Sequence, residues 1–193
     1  IQRKGLYQST ARRLQAFVRD KVDEDRFRHT QGVVSKALEL AHRFGADPEK
    51  AEIAAWFHDA VYDGVPGQDE ERSARLAEEA LADVLPDHET AEVARLVRLT
   101  ASHDPAPGDA RGAQLVDADL AILGALPGRY HVYTRDVRLE HDHVADDAFA
   151  TGRAAVLRRL LALDPLYRTP TGAQLWARQA RANMSAELEA LSA

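Results

Sequence analysis

His58 and Asp59 stand side by side in the run Ala54-Ala55-Trp56-Phe57-His58-Asp59-Ala60-Val61-Tyr62-Asp63, where the chain is otherwise building an apolar surface. Burying a charge there is costly unless something pairs with it, and a divalent cation is the obvious partner. His29 upstream and Asp119 downstream, each on its own predicted helix, complete a set of His29, His58, Asp59 and Asp119. Two imidazoles with two carboxylates suit Mn²⁺, Fe²⁺, Co²⁺, Ni²⁺ or Zn²⁺, and Mg²⁺ stands beside them as a further choice.

Helical periodicity tests whether these groups could converge, because positions three and four apart share a face. His29 groups with Val33, Leu40 and Phe44, and His58 with Ala51, Ala54, Ala55 and Val61. Asp119 groups with Leu115, Ile122 and Leu123, whereas Asp117 has the weaker stripe of Ala113, Leu120 and Ala121. Asp119 is therefore the expected ligand. Taken singly, each residue has a plain alternative: a hydrogen-bonded core histidine, or an aspartate paired with a buried arginine. Coordination satisfies all of them at once.

The elements that must carry these residues read as helices throughout. No stretch alternates apolar and polar residues with β-branched content, as a half-buried strand would. Helices are expected over Leu6 to Lys21, Asp25 to Phe44 with Gly45 as C-cap, and from an Asp47-Pro48 start through His58-Asp59. After a loop at Gly64 to Gln68, Asp69 caps a helix ending near Leu85-Pro86, and Asp87 opens one that reaches His103. Beyond Asp104 to Gly108 come a short helix from Ala113 to Leu123 ended by Gly124, then Arg129 to His143, Asp146 to Leu163 and Thr171 to Leu191. The fold class is all-α, a bundle of about eight helices. At 193 residues one domain is expected, residues 1–193, with a core over about 23–125 and C-terminal helices over about 129–191 packed on it.

Cysteine is absent, which excludes a disulfide framework and a thiolate metal site. A net charge of −6 argues against a duplex nucleic-acid surface but leaves room for a small anionic ligand held by a few arginines. No apolar run approaches the roughly 20 residues that span a bilayer. The start at Ile1-Gln2-Arg3-Lys4-Gly5 shows no apolar signal core. The expectation is a cytoplasmic protein with no membrane partner.

With these residues in place, the chain resembles the HD-domain superfamily of metal-dependent phosphohydrolases, which bind a divalent cation through His…His-Asp…Asp on a helical bundle. It is most similar to a subgroup of predicted HD phosphohydrolases without an assigned substrate. The shared features are Phe57 to Asp63, the acidic element Glu70-Glu71-Arg72-Ser73-Ala74, Asp117-Ala118-Asp119-Leu120 followed by Ile122-Leu123-Gly124, and the tail Ala180-Arg181-Ala182-Asn183. Around His29, the run Phe27 to Val33 looks more like HD proteins that cleave dinucleoside polyphosphates, and Asp69 stands where the subgroup tends to have Asn.

The resemblance implies hydrolysis of a phosphate ester or anhydride, in a nucleotide foremost, by metal-activated water. By analogy with HD hydrolases carrying an acidic residue there, Asp63 orients that water or protonates the leaving oxygen; its alternative is a solvent-facing turn residue. Glu70 is a second candidate for the same work. His103 shares a face with Leu96, Leu99 and Thr100, and either lines the cleft, ligates a second metal or is structural. Arg26, Arg138, Arg153 and Arg181 are candidates for holding an anion, against surface ion pairing. Tyr130 and Tyr133 could stack on a base or pack in the core. The competing functions are an HD-type di-iron oxygenase, which would need His103 and Asp63 as extra ligands, and a non-catalytic nucleotide-binding regulator.

Overall fold

A computed structural model describes residues 12–44, 48–63 and 68–192. The expected start at Leu6, the caps at Gly45 and Asp47 and most of the Gly64 loop lie outside these. The described residues are all-α, with no strand among them. Following α1 (12–19) come α2 (Glu24–Phe44), α3 (Pro48–Phe57), α4 (Gln68–Leu81), α5 (Asp87–Leu99) and α6 (Ala110–Asp119). A 3₁₀ turn (Leu120–Gly124) leads to α7 (Pro127–Glu140), α8 (Asp146–Leu161) and α9 (Pro170–Ala190). No described helix is long and apolar enough to cross a membrane.

The chain divides into two compact units, Ile1–Asp119 and Leu120–Ala193. In the first, α3 is the central helix. Ile53, Ala54, Ala55, Trp56 and Phe57 are consecutive and all buried, and a helix that is apolar all round belongs inside a core. It packs against α2, α4, α5 and α6. Burying a side chain such as Ile53 or Phe57 is worth about 1.5–3 kcal/mol. Trp56 stacks on Phe27 with ring centroids 5.8 Å apart, which sets the face that α2 turns toward the end of α3.

Helix starts follow local capping chemistry. Asp23 Oδ1 accepts from the Arg26 backbone N–H at 2.8 Å, and Asp109 Oδ1 from that of Gly112 at 3.0 Å. Asp109 thus starts α6 three residues before the expected Ala113. Asp69 is not the cap of α4; it lies inside the first turn and reaches back to accept from the Asp63 N–H at 3.0 Å.

In the second unit, Gly124 lies against the backbone of α9, where a Cβ would fall 2.4 Å from Trp176 Cβ. Asn183 Nδ2 donates to the carbonyls of Leu123 and Ala125, both at 2.8 Å, satisfying the end of the 3₁₀ turn. Arg153 donates to Glu187 Oε1 at 2.7 Å, and the Tyr130 hydroxyl also donates to Glu187, a paired and largely buried group.

Candidate metal centre

The expected helix through His58-Asp59 stops one residue short of the dyad. α3 ends at Phe57, and residues 58–60 form a turn. The His58 ring turns back on the helix end: its Nδ1 lies 2.8 Å from the carbonyl of Ala55, the residue four before Asp59. The Ala60 N–H reaches Phe57 O at 3.2 Å instead, a tighter i→i+3 closure. Consecutive residues of an α-helix point about 100° apart. The turn lets both side chains of the dyad face one place, with His58 Nε2 3.7 Å from Asp59 Oδ2. Ser73 of α4 secures the exit, accepting from the Val61 N–H at 2.9 Å and lying 3.2 Å from the Val61 carbonyl oxygen.

His29 on α2 meets His58 with their Nε2 atoms 3.3 Å apart. Asp119, the last residue of α6, places Oδ1 3.4 Å from His29 Nε2 and 3.6 Å from His58 Nε2. These three residues make up a group able to hold a metal ion. Asp59 Oδ2 is 3.7 Å from both imidazole nitrogens, while Arg26 Nη1 donates to the same oxygen at 2.8 Å. Spacings of 3.3–3.7 Å between donor atoms fit a cation bound at about 2.0–2.2 Å by nitrogen and oxygen. In the neutral ring, donation from Nδ1 to the Ala55 carbonyl puts the lone pair on Nε2, the tautomer a metal ligand needs.

The charged groups of the cluster shift one another's ionisation. Burial opposes ionisation of Asp119, yet His103, His29 and His58 outweigh it and hold the carboxyl well below its usual range. Asp59 is likewise pushed up by burial and brought down further by His58, Arg26 and His29. For His29 burial lowers the pKa, but the Asp119 hydrogen bond and the charges of Asp59 and Asp119 raise it overall.

The remaining expected residues are placed as follows. His103 points Nε2 at Asp119 Oδ2, 2.9 Å away. Arg26 is committed to Asp59, and its guanidinium carbon sits 3.5 Å from the Tyr62 ring centroid. Asp63 is exposed and ion-paired with Arg72, which favours its solvent-facing reading. Glu70 is half-buried in the first turn of α4. Arg138, Arg153 and Arg181 belong to the second unit, where each donates to its own neighbours: Asp146 and nearby carbonyls, Glu187, and the carbonyls of Leu161 and Leu163. Those bonds favour ion pairing and capping over anion binding. Tyr62 and Ser73 stand in the motif runs of the sequence, but no role was expected of either. Ser73 sits on the apolar face of α4 with Ala74, Ala77 and Leu81, and a buried serine there was the available signal.

A helical bundle in which a histidine of α2, a histidine of the turn after α3 and the last aspartate of α6 converge defines the class, and comparison with known families agrees. The HD domain model matches residues 26–126, and the chain belongs to that family. Two relatives are symmetrical bis(5'-nucleosyl)-tetraphosphatases. The one from Bacillus subtilis is 59% identical over 44 residues, 23% of this chain and 24% of the relative. The one from Halalkalibacterium halodurans is 50% identical over 42 residues, 22% of each. The chain thus matches less than a quarter of the length of either relative.

Proposed function

We propose that this protein is a divalent-metal-dependent phosphohydrolase that cleaves a phosphoanhydride in a nucleotide, with a dinucleoside tetraphosphate as the first substrate to test. The observation that carries the reading is the meeting of His29 Nε2, His58 Nε2 and Asp119 Oδ1. His29, His58, Asp59 and Asp119 would hold the cation. Bound there, it supplies a Lewis acid for a phosphoryl oxygen and acidifies water. The two carboxylates balance its charge, and the Ala55 carbonyl keeps the His58 ring in the ligating tautomer. Arg26 keeps Asp59 ionised and oriented. The short stretch shared with the two tetraphosphatases supports a nucleotide substrate cleaved symmetrically, which would turn a dinucleoside tetraphosphate and one water into two nucleoside diphosphates.

The test is incubation of metal-stripped protein, reloaded in turn with Mn²⁺, Co²⁺, Ni²⁺, Fe²⁺, Zn²⁺ and Mg²⁺, with diadenosine tetraphosphate and a panel of nucleotides. ADP as the sole product from the tetraphosphate, abolished in His58→Ala, is expected. A protein that binds the cations and hydrolyses none of the panel contradicts the proposal.

A further inference from the structure

His103 carries three observations that no ligand role assigned above explains. Its backbone lies at φ 55°, the left-handed region, and it is the one non-glycine residue there among the described residues. It closes the end of α5, with its N–H donating to Leu99 O at 3.0 Å. Glycine or asparagine fills such a helix-ending position most readily, so a histidine there suggests that its side chain serves a purpose. That side chain is 15% exposed, and its Nε2 lies 2.9 Å from Asp119 Oδ2. Nδ1 is buried without a hydrogen-bond partner, so the ring is held from the Asp119 side alone.

We infer that His103 is a positioning residue: its Nε2–H fixes Asp119 Oδ2 so that Oδ1 is presented to His29 and His58. An ionised carboxylate only accepts hydrogen bonds, so the proton of this contact sits on Nε2. The two oxygens of Asp119 thereby divide their work, Oδ2 to His103 at 2.9 Å and Oδ1 to the imidazoles at 3.4 and 3.6 Å. Without the donor, the carboxylate is free to rotate and trade oxygens. Partners behind metal ligands act in this way elsewhere, and they bear on metal affinity before any chemistry. The inference rests on the reading of the cluster as a metal site, but its test needs no substrate.

The measurement is Mn²⁺ affinity and stoichiometry of the full chain by titration calorimetry, with Co²⁺ absorption as a second view of the ligand set. His103→Asn keeps a residue at ease with left-handed backbone but is too short to reach Asp119 from the Nε2 position. His103→Gln places an amide N–H close to where Nε2–H was. Asn should weaken Mn²⁺ binding about 10–100-fold and alter the Co²⁺ spectrum, whereas Gln should stay within about threefold of wild type. Wild-type affinity in Asn, or equal loss in both, overturns the inference. So does a wild type that binds two cations and loses one in both variants, because His103 would then be a ligand. A wild type that binds no divalent cation fails the proposed function itself, a distinct result.

Discussion

Arg26 Nη1 donates to Asp59 Oδ2 at 2.8 Å, so the carboxylate of the His-Asp dyad carries its own counter-charge from the turn of α2 that precedes His29. The pair is largely shielded, with 12% and 21% of the two side chains exposed. One arginine therefore links the two segments that bring His29 and His58 together.

Arg26→Ala should destabilise the cation-free protein by about 1.5–3 kcal/mol, the range for a hydrogen bond to a charged group. Added Mn²⁺ should then raise the melting temperature more in the variant than in wild type, since the cation replaces the lost counter-charge. Thermal melts with and without Mn²⁺ check this; an equal shift in both proteins counts against it.

Asp119→Asn should lose the bound metal, while Asp117→Asn should keep it and lose stability instead. Burial runs opposite to the expectation from helical stripes: Asp117 is fully buried, whereas Asp119, at the end of α6, keeps 15% of its side chain exposed. It is the edge position that lets Asp119 face the imidazoles. Metal content and unfolding midpoints of the two variants separate these effects, and metal loss from Asp117→Asn would reverse the assignment.

That reversal shows what the sequence could carry. Residue types and periodicity were enough for the all-α class of the described residues and for the convergence of His29 and His58 on Asp119. They missed the ending of α3 at Phe57, where the His58 ring meets the Ala55 carbonyl, since a periodic pattern does not show where a side chain turns back on its own helix. Likewise the commitment of Arg26 to Asp59 and Tyr62 is a matter of which donors meet which acceptors across the fold, and stripe patterns hold no trace of it.

Ser73→Ala should cost about 1–3 kcal/mol, because the Val61 N–H at the exit of the dyad loses its partner. Metal affinity should fall with it, whereas Ser73→Thr should recover part of both. Denaturant titration with parallel Mn²⁺ binding is the check; unchanged stability in Ser73→Ala would mean that the clip does not hold the turn.

Asp63→Asn should keep both its metal and a kcat within a few-fold of wild type. The carboxylate is 59% exposed and ion-paired with Arg72, the setting of a turn residue that faces solvent. A kcat loss of about 10²–10⁴-fold with KM little changed would instead return Asp63 to the mechanism.

The most direct test is the metal stoichiometry of protein stripped by chelator and titrated with Mn²⁺, read by calorimetry and elemental analysis for wild type and His58→Ala. The account predicts stoichiometric uptake by the wild type and its loss in His58→Ala, with helical content unchanged by circular dichroism. Equal uptake by the two proteins, or none by the wild type, would contradict it.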